Sequence, residues 1–172
     1  MQLSAALGFA AFAAPAMAGP SDALMSAAQN TTKQSSYHIS ITTPQGTEEG
    51  DIVNPDRMRV VGNGVETIII GQTAYLKIKG AWRKMNTGGM GSIQMDMAKS
   101  IAKYHSDYTA TDLGMRVVGG TPLHAYSVVN AKTHRTETVY IDRSNRMARV
   151  ESGPLVIRFT KFNVPVTITA PM

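Results

Sequence analysis

The sequence predicts a mainly β (α+β) fold, a strongly curved antiparallel sheet or incomplete barrel of about ten strands with a helical lid. Three observations predict it. Period-two alternation of apolar and polar residues recurs from Tyr37 to Phe162. The runs are separated by short Gly, Asn, Asp or Pro turns that leave no room for crossover helices. One interior segment alone has helical spacing.

The first eighteen residues carry no charge and end in Ala16-Met17-Ala18. A short apolar run closing on small residues has the form of a secretory signal, so the expected organisation is a signal peptide over residues 1–18 and one domain over 19–172. No Lys or Arg stands between Met1 and the run, which makes the leader a weak one or places its start upstream; a buried first helix is the alternative reading. The run is too short to span a bilayer, and no later stretch reaches ~18 apolar residues.

After it, Ser21-Asp22 caps a short helix to about Gln29. Strands are expected at 37–43, 48–53, 57–61, 65–70 and 74–79, with turns at Pro44-Gln45-Gly46, Asn54-Pro55-Asp56, Gly62-Asn63-Gly64 and Gly71-Gln72-Thr73. This meander is expected to stop at Trp82. A glycine-rich connector over 86–91 leads to a helix over 92–105, with Ser92 as its cap. In that helix Ile93, Met97, Ile101 and Tyr104 share one face, and Asp96, Lys99 and Lys103 lie opposite. Strands resume at 115–118, 125–130, 136–141, 147–150 and 155–162, and Val164-Pro165-Val166-Thr167-Ile168 reads as an edge strand.

Composition narrows the function. With no cysteine, disulfides, thiolate catalysis, thiolate metal sites and a lipid-modified cysteine are all removed, so the expected location is free in the periplasm, or secreted, without a lipid anchor. The 17 basic and 12 acidic residues give +5, which favours anionic partners such as phospholipid surfaces, with a generic basic surface as the alternative. The basic residues are scattered along the chain, so no nucleic-acid partner is expected.

Chemistry-bearing motifs are missing. Ser152-Gly153 lacks the preceding glycine of a nucleophile elbow, and His38, His105, His124 and His134 share no ligand spacing. Glu48, Glu49, Asp51 and Asp56 lack the order of a calcium loop, and Gly88-Gly89-Met90-Gly91-Ser92 lacks the Gly-Lys-Ser/Thr of a phosphate loop. No enzyme activity, catalytic residue, metal or cofactor is therefore expected.

Methionine is the compositional excess, at 11, with Met85, Met90, Met95 and Met97 clustered around the connector and helix. Three readings stand open: soft ligands for monovalent copper, the lining of an adaptable apolar pocket, and plain core packing. A single amphipathic helix covers so wide a sheet poorly, which predicts a cavity between the two. Period-two alternation assigns Ile68, Ile70, Leu76, Ile78, Val139, Ile141, Ile157 and Phe159 to its wall. Met90, Ile93, Met97, Ile101 and Tyr104 are assigned to the lid, and Trp82 to the rim.

Asn54-Pro55-Asp56-Arg57-Met58 before a strand, Gly71 followed by Tyr75-Leu76-Lys77, Trp82 beyond it, and Phe162-Asn163-Val164-Pro165-Val166 with Ile168 and Pro171 at the close together resemble the LolA/LolB lipoprotein-carrier superfamily and its LppX/LprG-type mycobacterial lipid-carrier relatives. The resemblance spans most of the chain after residue 18 and lies mostly in turns. It implies an unclosed antiparallel barrel, capped by helices, whose apolar interior accepts acyl chains of lipids or lipoproteins. The expected function is thus a soluble, monomeric, exported carrier or chaperone for a lipophilic ligand. The alternatives are an envelope sensor or interaction module that uses the concave sheet against a membrane-associated partner protein and, more distantly, a methionine-rich copper-binding protein.

Overall fold

Gly19 begins a helix because it is followed by Pro20, whose fixed φ suits the first turn, and by Asp22, whose carboxylate accepts the Gly19 N–H at 3.2 Å. The computed structural model describes residues 19–87 and 107–171. Helix α1 runs Pro20–Thr32, about a turn further than the sequence predicts. Tertiary contacts supply that turn. The Thr31 hydroxyl donates to the Ala27 carbonyl and accepts the Met147 N–H, each at 2.8 Å. Asn145 reaches the helix twice, its side chain donating to Ser26 and its carbonyl accepting from Asn30.

Eleven strands form one antiparallel sheet: β1 Ser36–Thr43, β2 Gly46–Val53, β3 Arg57–Gly62, β4 Val65–Ile70, β5 Thr73–Ile78, β6 Ala81–Asn86, β7 Tyr108–Val118, β8 Thr121–Asn130, β9 Thr136–Ile141, β10 Met147–Ser152 and β11 Leu155–Thr160. Their order is β6-β5-β4-β3-β2-β1-β11-β10-β9-β8-β7. Two meanders are therefore joined along one seam, where Ile39 faces Phe159 and Ile41 faces Ile157. The sheet is unclosed: among the described residues β6 pairs only with β5, and β7 only with β8. Three hairpins turn through two residues with both φ values positive, Asn63-Gly64, Lys79-Gly80 and Gly119-Gly120, which match the twist of the strands they join.

Three strand expectations are corrected. Trp82 does not end the first meander; it lies inside β6, a strand with little apolar alternation that is held by its ladder with β5. Strand β7 starts at Tyr108 rather than Met115, and a register shift between Asp112 and Gly114 interrupts its alternation, with Gly114 at φ 70. Residues 164–168 form no strand. Asn163, at φ 58, turns the chain out of the sheet, donates its N–H to the Ser36 carbonyl and accepts from Ser35 through its side chain. Beyond it Ser36 and Arg57 donate to the carbonyls of Val164 and Ile168, and Ile168 is buried. Pro165 has no N–H to give a ladder, so side chains take over the pairing.

Residues 1–18, expected to be a signal peptide, and the expected lid helix at 92–105 lie outside the described residues. No helix among those described is long and apolar enough to cross a membrane.

Candidate functional site

Directly paired residues of an antiparallel sheet share a face, so the register sorts every strand residue to one side or the other. Ala27 of α1 packs with Tyr126 and Ile141, flanked by Ala23, Leu24 and Met147, which marks the helix side. The pairs Ile141–Met147, Tyr126–Val139, Val139–Val150, Val150–Ile157 and Ile157–Ile41 carry that side from β8 into β1. From Ile39 it continues through Gly50, Val60, Thr67 and Leu76 to Arg83. The result is an apolar band across the sheet, interrupted by Asp112, His124, Glu137 and Ser152 in the β7–β10 part and by Glu48, Thr67 and Arg83 in the β2–β6 part. Helix α1 packs against β7, β9 and β10.

The opposite face carries most of the paired polar groups, beside buried Ile68, Leu123 and Ala125. His38 stands between Asp51 (2.8 Å) and Glu49 (2.7 Å), and Ser40 also donates to Glu49. These bonds, the one from His38 foremost, hold the Glu49 carboxyl below its usual range. Glu66 sits between Arg59 (2.8 Å) and Lys77 (3.7 Å), and the Tyr140 hydroxyl donates to Glu151.

The sequence-predicted wall divides on this register. Leu76, Ile78, Val139, Ile141, Ile157 and Phe159 all lie on the helix side. Ile68 and Ile70 lie on the other, paired with Arg59 and Tyr75 and with Arg57 and Thr73 respectively. The run Ile68-Ile69-Ile70 is apolar throughout and carries no phase; Ile69 is the residue facing the helix side. Trp82 is likewise on that other face, paired with Lys77, whose Nζ is 5.5 Å from the ring centroid, so it is no rim of the helix-side surface. Met90, Ile93, Met97, Ile101 and Tyr104 lie outside the described residues. Of the clustered methionines Met85 alone is described, exposed at the β6 edge.

Sequence reasoning passed over Tyr37, Ile39 and Val60, which complete the helix-side face. The alternation Tyr37-His38-Ile39-Ser40-Ile41 could have found the first two. Tyr37 is 2% exposed and packs on Phe159 and Phe162, each ring 6.1 Å away; the Arg146 guanidinium covers Phe162 at 4.0 Å while pairing with Asp142. Burial raises the Tyr37 phenol from 10.0 to about 12. The fold therefore favours the neutral phenol: this stability is full below pH 10.0 and is lost as pH rises toward about 12. That window is expected to remove about 2–3 kcal/mol, and Tyr37→Phe to flatten most of the loss, read by urea unfolding between pH 9 and 12. Tyr126 and Tyr140 are shifted the same way, chiefly by burial, and leave a residual slope.

At the β7–β8 edge His124 stacks on Tyr126 at 4.8 Å and bonds Asp112 at 2.7 Å. The Gly114 N–H and then His124 lower the Asp112 carboxyl. No serine or cysteine nucleophile accompanies the pair in these contacts. Among the described residues no three His, Asp or Glu side chains group as a metal site.

No family model matches the sequence, and no curated protein does. Solved structures match the fold. LprF of Mycobacterium bovis superposes with a TM-score of 0.65 at 16% identity, over 88% of this chain and 96% of LprF. The lipoprotein LppX of Mycobacterium tuberculosis gives 0.66 at 19% identity, over 87% and 97%. MucB, solved in complex with MucA(peri), gives 0.53 at 18% identity, over 88% of this chain but 57% of MucB. The unclosed eleven-stranded sheet with its packed helix, and the near-complete mutual coverage with LppX and LprF, establish that this chain has the fold of those two proteins.

Proposed function

We propose that the protein is an exported carrier or chaperone that holds the acyl chains of a lipid or lipoprotein against the helix-side face of its sheet. One observation carries this reading: an apolar band runs along that face through Tyr126, Val139, Val150, Ile157, Ile41, Ile39, Val60 and Leu76, and among the described residues α1 packs mainly near its β7–β10 end. The side chains of this band are buried or half-buried, Ile78 excepted, so they line an interior surface, and a lipophilic guest matches the chemistry of that lining. Leu76, Ile78, Ile157 and Phe159 are the proposed contacts from the original set, joined by Ile39 and Val60. Val139 and Ile141 are buried; Ile141 packs under α1 and belongs to the support of the site. The fold shared with LppX and LprF agrees with this reading, which rests on the face itself.

Residues 92–105 enter the proposal as the lid, on their sequence spacing alone. Hydrogen exchange that found them as protected as the central strands, with and without lipid, would remove the lid from the mechanism. Native mass spectrometry of protein purified from its own envelope tests the whole reading: added lipid mass supports it, and bare protein in every preparation contradicts it. A copurifying protein would favour the alternative that MucB's complex with MucA(peri) brings forward, an interaction module using the same face. Copper in that spectrum would revive the methionine reading. Export is tested separately, since amino-terminal sequencing is expected to return Gly19 as the first residue, and Met1 would end that part of the proposal.

A further inference from the structure

We infer that the β5–β6 hairpin is a docking edge for anionic phospholipid membranes. Basic residues are scattered along the chain as a whole, yet this hairpin, Thr73–Asn86 from strand to strand, carries Lys77, Lys79, Arg83 and Lys84 and no acidic residue. Lys79, Arg83 and Lys84 are all exposed. The neighbouring carboxylate, Glu66, is already engaged by Arg59 and Lys77. Among the described residues the positive charge of Lys79, Arg83 and Lys84 is thus left for an external partner.

Charge alone would fit many anionic partners, but the apolar residues beside it select a membrane. Ile78 is 42% exposed at the foot of the Lys79-Gly80 turn. Glu66 pairs with Lys77, which places Val65, 37% exposed, next to Ile78 at the strand ends. Val61, 41% exposed, lies one strand further along the same end of the sheet. At the tip of this hairpin Ile78 stands between Lys77 and Lys79 with no acidic residue on either strand, which suits insertion just below phosphate groups. The carboxylates beside Val61 and Val65 are engaged within the sheet, Glu49 by His38 and Ser40, Glu66 by Arg59 and Lys77, and Glu48 by Asn63. Trp82, the sole tryptophan of the chain, stands one residue behind the tip, at the depth where an indole favours the headgroup region. Lys79 holds a positive φ in a turn where Asn or Gly is the usual choice, so this position keeps a cation that the turn itself does not require.

This inference rests on the exposed hairpin and shares Ile78 alone with the ligand reading, so its test is placed on Lys79 and Trp82, which that reading does not use. Because Trp82 is the sole tryptophan, its fluorescence reports on this hairpin alone. Emission is expected to shift to the blue on adding phosphatidylcholine vesicles that contain phosphatidylglycerol, and to stay fixed with pure phosphatidylcholine. In vesicle sedimentation Lys79→Glu is expected to weaken binding about tenfold or more. Arg143→Glu makes the same charge change in the β9–β10 turn at the opposite end of the sheet and is expected to stay within about twofold. Lys79→Gly, which suits the turn, guards against misfolding and should still bind more weakly than the parent. Equal losses for Lys79→Glu and Arg143→Glu, absence of binding by the parent, or binding without a Trp82 shift would each overturn the inference. An uncharged acyl probe bound normally by the same variants would confine that failure to membrane docking and leave the carrier reading standing.

Discussion

Replacing Gly50 with valine is expected to destabilise the protein by about 3 kcal/mol or more, enough to unfold much of it at ambient temperature. Gly50 is buried in β2 on the helix side, between Ile39 and Val60. A Cβ there would stand 2.9 Å from the Arg59 carbonyl oxygen, 2.9 Å from a Val60 methyl and 3.3 Å from Ile39. The methyl can rotate away, but the carbonyl is backbone in the neighbouring strand and moves only if the β2–β3 ladder moves. Valine adds two further methyl groups to a space with no room for the first. Urea denaturation measures the loss, and a variant within about 0.5 kcal/mol of the parent would show that the two strands can spread at little cost.

The second large effect is functional. Leu76→Lys and Ile157→Lys, at well-separated points of the helix-side face, are each expected to weaken binding of an uncharged fluorescent acyl probe at least about tenfold. An ammonium group among acyl chains loses its hydration and gains no counter-ion from a neutral ligand. Arg158→Gln, next in the chain to Ile157 but on the opposite face, should bind as the parent does. Ile157 belongs to the seam, so its variant could also lose stability; Leu76 lies far from the seam and separates binding from folding. If both lysine variants stay folded and bind normally, the helix-side face is not where the ligand sits.

Much of this architecture was legible where local chemistry and tertiary structure agree. The Asn63-Gly64 turn and strands 65–70 and 136–141 follow from turn residues and alternation, and the structure places them at the same bounds. The Val139 and Ile141 side was readable because Thr138 and Tyr140 break the apolar run between and before them. Illegibility has equally specific causes. Ile68-Ile69-Ile70 offers alternation no contrast, so the face of its middle residue could not be read. Strand β6 is specified by its partner more than by Ala-Trp-Arg-Lys-Met-Asn itself. The β7 register shift exchanges the faces: Ala110 and Asp112 share a side with Met115 and Val117, which simple alternation would separate. The tail looks like a strand by composition, yet Asn163 and Pro165 divert its hydrogen bonds to side chains.

The seam between β1 and β11 also bears on how the chain reaches this state. Within each half, successive strands pair through short turns, so β1–β6 and β7–β11 can each assemble from contacts local in sequence. The seam instead joins residues 38–42 to residues 156–160, and closing it must gather nearly the whole chain. Seam formation is therefore the natural slow step, with the halves largely formed before it. Weakening Ile41 or Ile157 should then slow folding more than it speeds unfolding, whereas weakening the hairpin at Asn63-Gly64 tests whether a half must be complete before the seam can close. Until that closure the apolar edges of both halves face solvent, which makes the interval before it the period of greatest exposure to aggregation.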